Sequence, residues 1–523
     1  MLLNKMEVSM RNKKLLAIAT ILVGLIIILV LSDMVGKIDN EENARVHQHI
    51  DNRKPIDETD TSLDITAEGF STHLPVVILN TNGQQIMSKL DTDGDPKINI
   101  EVQIIDNEDS LNSIGDTPAV ETISTVRYRG NSSLYYDKKQ YALEFLNADG
   151  TENVTEVMGM AAGSEWVLNG TFLDKSHIRN YIAYNIAGEI MDYAPNIRFC
   201  EVFLYDGETY TYQGLYTMVE SIERALDRVN VTKYDEDRIE SSYIIRRDRF
   251  SEDEVMLYNY GTVNGLTEEW LGVKYPSEAK ITEETLKYIE NDISEFERVI
   301  YSDDYETFKT YTNYINVDSF VDYFVINEFF GNYDAGLHST YAYKDLTGKL
   351  TMGPVWDYDG AMDNATPWEL EPDATAFKTA SWFNALIKDE EFCRKVVARY
   401  NELRKSYLSD EYIDEYIDEL VDYLGASIDR DYQVWGYIFE QETLVNVENK
   451  YGVVNDRNVG TYEEEIERIK LALHKHAEYL DAEFYHDISG DVMVEPENLS
   501  SMRYLAIFFI VTFFVMVIFV RQE

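Results

Sequence analysis

Basic residues are scarce in this chain. Lysine and arginine together number 46 against 95 aspartates and glutamates, a formal net charge of −49 over 523 residues. Nucleic acid is gripped by clustered lysine and arginine, so this balance excludes it as a partner, and any phosphate-bearing ligand has to arrive with its own cations. Most of the carboxylates read as a solvated, mutually repelling surface. Cysteine is scarcer still, with Cys200 and Cys393 alone. Two cysteines make no disulfide framework, and an extracytoplasmic chain that manages without one points to a bacterium rather than to a secretory-pathway product. The sequons at Asn131, Asn153, Asn169 and Asn230 are then chance matches. A glycine-rich GxGxxG loop and internal repeats are also missing.

Long uncharged apolar runs occur twice, at residues 15–31 and 504–520, each 17 residues long. That is the short end of what spans a bilayer. Lys5, Arg11, Lys13 and Lys14 precede the first run, and Arg503 and Arg521 bracket the second. No small-x-small cleavage site follows residue 31, so the first run reads as an uncleaved signal anchor. The positive-inside bias then places residues 1–14 in the cytoplasm and the acidic bulk outside, a cell-membrane protein with an extracytoplasmic domain. A buried soluble helix is the alternative for either run.

Over the whole chain, 45% hydrophobic and 13% aromatic residues supply ample material for a core. Residues 32–72 are polar and aperiodic, which reads as a linker; 73–485 read as one folded domain, 486–503 as a second linker. Strand patterns recur at 73–79, 98–104, 125–129, 140–145, 199–204 and 213–219. A helix is expected over 173–191 with Asp174 as its N-cap. From about residue 280 helical periodicity dominates, at 282–301, 318–330, 390–408, 410–424 and 462–484. The expectation is an α+β fold with a β-rich lobe (73–220) and a helical lobe (221–485) on either side of a cleft. The Asp-rich segment 91–95 resembles half a calcium loop, but Pro96 replaces the required glycine, so it reads as a turn.

The chemistry concentrates in Gly331-Asn332-Tyr333-Asp334 and, 23 residues after Asp334, in Trp356-Asp357-Tyr358-Asp359-Gly360. Residues 339–344 and 350–352 read as strands of a hairpin that returns Asp357 to the end where Asp334 sits. An Asp that can take the proton of an attacking hydroxyl, then an Asp that can hold the Mg²⁺ bridging nucleotide phosphates, is a phosphoryl-transfer layout. Any one of these aspartates alone is as well explained as a turn former.

Further motifs occur in order: Arg129-Gly130-Asn131-Ser132-Ser133, Lys138-Lys139-Gln140-Tyr141, Asp174-Lys175-Ser176 with Arg179-Asn180, and Gly214-Leu215-Tyr216 with Glu220. With the two acidic segments they resemble the CotH family, the spore-coat protein H kinase-like proteins, from about residue 73 to 484. The resemblance implies a divergent two-lobed protein-kinase fold that uses ATP and Mg²⁺ (or Mn²⁺) to phosphorylate serine on a protein substrate, here flanked by two transmembrane helices in the lipid bilayer. By the same resemblance, Asp334 is the catalytic Asp, and Asp357 is the metal-binding Asp. One of Lys138 and Lys139 is the phosphate-steadying lysine, with strand alternation favouring Lys139. Arg129 and Ser132 cover phosphates or form a tight turn, and Glu220 meets the adenine or braces the lobes. Arg179 makes a structural ion pair.

Two departures stand out. No GxGxxG loop precedes the lysine strand, and Ser339 falls where kinases place a metal-binding Asn. Asp359 or His338 is then available to complete a metal shell. ATP is scarce outside a bacterial cell, which keeps a rival open: a non-catalytic envelope interaction module whose acidic cleft binds a cation or basic partner.

Overall fold

The computed structural model describes residues 59–252, 254–364, 374–378, 380–440, 459–490 and 492–493. The apolar runs at 15–31 and 504–520 lie outside these residues, as do most of the two expected linkers. Among the described residues no helix is long and apolar enough to cross a membrane.

Seven strands close into a barrel: β1 (Val76–Asn80), β2 (Ile98–Ile105), β3 (Val120–Tyr128), β4 (Tyr141–Leu146), β7 (Glu165–Asn169), β8 (Ile197–Tyr205) and β9 (Tyr210–Glu220). Their order is β1-β2-β3-β4-β7-β9-β8, with a small outlying pair of β5 (Thr155–Val157) and β6 (Met160–Gly163). All neighbours in the barrel are antiparallel except β1 and β8, whose parallel pairing closes it. The sequence of β1 shows why. Val77 and Leu79 pack inside with Val102, Leu143 and Phe145, while Val76 and Ile78 pack outside with Phe70, Phe203 and Tyr212. A strand covered on both faces reads as an unbroken apolar run. The strand-rich portion is therefore a closed barrel, where the sequence pointed to the β-rich lobe of a kinase-like fold.

A second sheet, ordered β11-β10-β12-β13, contains β10 (Tyr243–Asp248), β11 (Trp270–Tyr275), β12 (Thr340–Lys344) and β13 (Thr351–Met352). The longer helices are α1 (Arg179–Ile190), α2 (Glu283–Ile300), α3 (Val317–Phe329), α4 (Glu390–Leu403), α5 (Asp410–Leu424), α6 (Ala426–Trp435) and α7 (Tyr462–Ile488). Capping explains several starts: Thr282 accepts from Thr285 N ahead of α2, and Asn316 accepts from Ser319 N ahead of α3. The protein is thus a mixed α+β fold.

Three local expectations change. The helix expected from residue 173 begins at Arg179, and Asp174, lying ahead of it, accepts from Arg179 N (3.2 Å) while forming a buried ion pair with the Arg179 side chain (2.6 Å). Helix α6 has no counterpart in the sequence reading. Residues 59–72 are not a free linker: Phe70 is 2% exposed, and Asp60 pairs with Arg430 (2.9 Å) and His73 (2.8 Å). Their polarity marks a buried ionic network. Arg430 on α6 also reaches Glu201 on β8 and the Thr72 hydroxyl.

Beside it, Asp431 accepts from Lys138 Nζ (2.6 Å) and Leu215 N (2.7 Å), which docks α6 on β9. Gly214, at φ +112°, has to lack a side chain here, since a Cβ would overlap the Asp431 carboxylate. Removing one partner of a buried pair leaves the other charge uncompensated. Arg430→Met is therefore expected to lower unfolding free energy by about 3–5 kcal/mol in urea titrations. A loss below about 1 kcal/mol would show that Glu201 and Asp60 are hydrated, not buried in the network.

Candidate active site

Helix α3 delivers the first acidic residue. It ends at Phe330, and Gly331 (φ +61°) turns the chain out of the helix. Asn332 follows, buried, with Nδ2 donating to Asn327 Oδ1 (3.3 Å) and to the Asp357 carbonyl (3.2 Å). This one side chain ties the loop of Asp334 to the loop of Asp357. Beyond Asp334, the amides of Leu337 (3.1 Å) and His338 (2.8 Å) both donate to its carbonyl, so the chain coils tightly before β12. The β12–β13 hairpin then carries the chain back, Ala342 opposite Met352. Ser339 Oγ donates to Asp357 Oδ2 at 3.1 Å. The hairpin expected from sequence thus places Asp334, Ser339 and Asp357 at one end of the second sheet.

Asp357 adopts φ +64°, left-handed backbone that a non-glycine residue occupies only when its surroundings impose it. The imposing groups come from α1. Tyr184 Oη accepts from Asp357 N (3.1 Å), and Asn180 Oδ1 accepts from Tyr358 N (2.8 Å). Asn180 Nδ2 donates to Asp359 Oδ1. Arg179 Nε donates to the Ala361 carbonyl (3.0 Å) and Nη2 to that of Met362 (3.2 Å). Below, the buried Tyr358 hydroxyl donates to Asn327 Oδ1 (2.7 Å).

Charge at this place is out of balance. Burial and the charge of Asp357 push the Asp334 carboxyl above its ordinary range, with His338 and Arg249 pulling the other way. Asp357 is exposed to solvent but crowded by surrounding protein atoms. Burial raises it too, partly offset by Arg129 and by the Ser339 hydroxyl. Asp359 is pushed well up by burial and by its neighbours Asp357 and Asp174. Arg129 lies with its guanidinium 5.7 Å from the Trp356 ring centre and donates to Gln140 Oε1 (2.8 Å). It is the first opposing charge acting on Asp357.

The remaining expected residues fall differently. Lys138 is buried, its ammonium committed to Asp431 and to the Leu215 carbonyl (2.7 Å), a structural pairing in place of a phosphate contact. Lys139 Nζ donates to the Leu134 carbonyl (2.8 Å) and lies 5.9 Å from the Tyr128 ring centre. Ser132 is exposed at the start of the short 3-10 turn Ser132–Tyr135. Glu220 is fully buried and takes bonds from Tyr193 Oη (3.0 Å), Asn196 N (2.8 Å) and Asn196 Nδ2 (2.9 Å), partners within the same β-rich portion. Arg179 is an ion-pairing residue, bound to Asp174 and Glu465. Sequence reasoning passed over Asp248 and Arg249 at the end of β10. The available signal was an apolar strand, Tyr243-Ile244-Ile245, ending abruptly in four charged residues.

Among the described residues, no three His, Cys, Asp or Glu side chains form a closed metal cage. Magnesium does not need one: it is held by one or two carboxylates while waters and substrate phosphates complete its shell. Asp357, Asp359 and the Ser339 hydroxyl are hard oxygen donors, and the raised carboxyls mark uncompensated negative charge, so the donor set fits a divalent cation.

The family model described as CotH kinase protein matches residues 126–480, a stretch that contains every residue of this site. No curated protein matches the chain.

Because the folded pKa of Asp357 lies above its ordinary 3.8, the native state binds the extra proton, and stability falls as pH rises from 3.8 through that raised value. In chelator, Asp357→Asn is therefore expected to melt higher than wild type at pH 7, with the gap closing below pH 3.8. Added Mg²⁺ should stabilise the wild type and leave the variant unmoved. Equal responses to Mg²⁺ would contradict the assignment of Asp357 to a cation.

Proposed function

The chain belongs to the CotH kinase family, and on that premise we propose that it is a phosphotransferase which moves the γ-phosphoryl group of ATP onto a serine hydroxyl of a protein substrate. Family membership suggests a kinase-like spore-coat protein, so the substrates of this reading are spore-coat or envelope proteins. The observation that carries it is the meeting of Asp334 and Asp357 across the hairpin, bridged by Asn332 and Ser339.

Each residue then has a task. Asp334 orients the acceptor hydroxyl and takes its proton; a carboxyl raised toward the working pH is a better base than an ordinary one. Asp357, with Asp359 and Ser339, would hold Mg²⁺ or Mn²⁺, which supplies charge neutralisation at the phosphate oxygens. The phosphate-facing cation is Arg129, since Lys138 is committed to Asp431 and Lys139 Nζ donates to the Leu134 carbonyl. Asn180, Tyr184 and Arg179 keep the metal-binding loop in its constrained shape, so positioning is in place before substrate arrives. The two-lobed kinase likeness is read here in function: a barrel and a helical portion that both contribute to one acidic cleft. The apolar runs at 15–31 and 504–520 would tether the domain to a bilayer on the extracytoplasmic side.

A second reading has one observation in its favour. Lys138 is buried against Asp431 and Lys139 Nζ donates to the Leu134 carbonyl, so both candidates for the strand lysine of an ordinary kinase are held by protein groups, which suits a non-catalytic envelope module that binds a cation or a basic partner.

Incubating the full chain with γ-labelled ATP and Mg²⁺ or Mn²⁺ separates the two. Metal-dependent label on protein is expected, reduced about 100-fold or more in Asp334→Ala and in Asp357→Asn while both variants stay folded. Absence of label from wild type with either metal, or label that survives both substitutions, would overturn the proposal.

A further inference from the structure

The cleft holds more negative charge than its visible cations balance, and a nucleotide adds more. One loop cannot correct this. Two residues after Asp334 stands Gly336, at φ +81°, where a Cβ would lie 2.6 Å from the Ala380 Cβ, so no cationic side chain fits at that position. Lys138 is committed elsewhere. Arg129 approaches from the barrel side. A cation for the opposite side has to come from another element.

Strand β10 supplies one. Its register against β12 sets Arg247 opposite Thr340 and Tyr243 opposite Lys344, which carries Asp248 and Arg249 alongside Ser339 and His338. The contacts agree: His338 Nδ1 lies 3.8 Å from Asp248 Oδ1, and Asp248 Oδ1 accepts from Arg249 N (2.8 Å). Asp248 is nearly buried at 7% side-chain exposure and fixed in place by Arg246 Nε at 3.6 Å. Arg249 is the reverse, 64% exposed, its guanidinium touching Asp248 only at 3.9 Å. So loose an exposed pair contributes little to stability and restrains the side chain little. The register sets Arg249 beside His338, next to the Ser339 hydroxyl that donates to Asp357, which places it at the mouth of the site; its charge acts on Asp334, Asp357 and Tyr333 accordingly.

We infer that Arg249 is a catalytic residue that binds the γ-phosphoryl group during transfer, from the side of the cleft opposite Arg129. The inference rests on the phosphotransferase reading above. In the step, the acceptor hydroxyl oxygen forms a bond to the γ-phosphorus, and the bond from that phosphorus to the bridging oxygen breaks. The electron pair leaves with the nucleoside diphosphate, and the hydroxyl proton passes to Asp334. Arg249 forms no covalent bond. Its N–H groups donate to non-bridging oxygens of the moving phosphoryl, where negative charge is concentrated, as a planar guanidinium does well. Before ATP binds, the guanidinium rests near the mouth in loose contact with Asp248 and is free to move. This geometry also explains why the residue after a strand carries the charge: the strand end is fixed, and only the long side chain has to move.

The test compares Arg249→Met and Arg249→Lys with wild type as full chains, titrating Mg-ATP and Mg-ADP calorimetrically and following single-turnover label transfer. The nearly buried Asp248 keeps Arg246 beside it when Arg249 is replaced, so both variants should keep the wild-type melting temperature. Arg249→Met is expected to weaken ATP binding about tenfold, the factor one charge-assisted hydrogen bond supplies, and to leave ADP binding unchanged. Transfer should fall about 100-fold or more, with partial recovery in Arg249→Lys. Equal weakening of ATP and ADP, or no change in either, overturns the inference. Should wild type transfer no label while Arg249→Met still loses its preference for ATP over ADP, the phosphotransfer reading fails and the γ-phosphate contact stands. Failure of wild type to bind either nucleotide removes both.

Discussion

The guanidinium of Arg179 is the point on which the site depends. It is fully buried and bonds at once to Asp174 (2.6 Å), to Glu465 on α7 (2.7 Å) and to the carbonyls of Ala361 and Met362. Those partners belong to three separate stretches of chain: the approach to α1, the last long helix and the loop after Asp359. A buried charge with this many acceptors is costly to disturb, because each acceptor loses its partner at the same moment. The loop that carries Asp357 and Asp359 is thereby anchored at its far end, while Asn180 and Tyr184 fix its near end. Strained backbone at Asp357 persists because both ends are held.

From that anchoring follows the electrostatic character of the cleft. Three carboxylates are brought within mutual influence by a rigid frame that does not let them separate, and all three are raised above their ordinary range. A folded protein tolerates such an arrangement where a cation or a charged ligand relieves it. The surrounding surface is also acidic, so the relief has to be specific: two arginines, from a barrel strand end and from the end of β10, and a divalent ion. The chain's scarcity of basic residues sharpens the assignment, since few cations are on hand to neutralise phosphate.

Much of this was legible in the sequence, and the parts that were not share a cause. The hairpin between Asp334 and Asp357 could be read because both strands and the turn are local and short. Helix α2 could be read from its 3.6 period and Thr282 cap. The Lys138–Lys139 pair could not be resolved beyond strand alternation, because nothing local distinguishes a lysine facing phosphate from one facing Asp431, which lies 293 residues from Lys138 in sequence. The same distance hid the role of Asp60, whose partner Arg430 is 370 residues on, and made a buried network resemble a solvated linker. Barrel closure through β1 and β8 is likewise a long-range pairing. Asp248 and Arg249 were passed over because their placement depends on a β10–β12 register that no local pattern announces.

The central claim is that the acidic cleft is a nucleotide site built around a cation held by Asp357. Calorimetric titration of ATP into the full chain, with Mg²⁺ and then with chelator, tests it most directly. The account predicts saturable binding at one nucleotide per chain that requires the metal and disappears in Asp357→Asn. Binding of equal strength in chelator, or binding that survives that substitution, would contradict it.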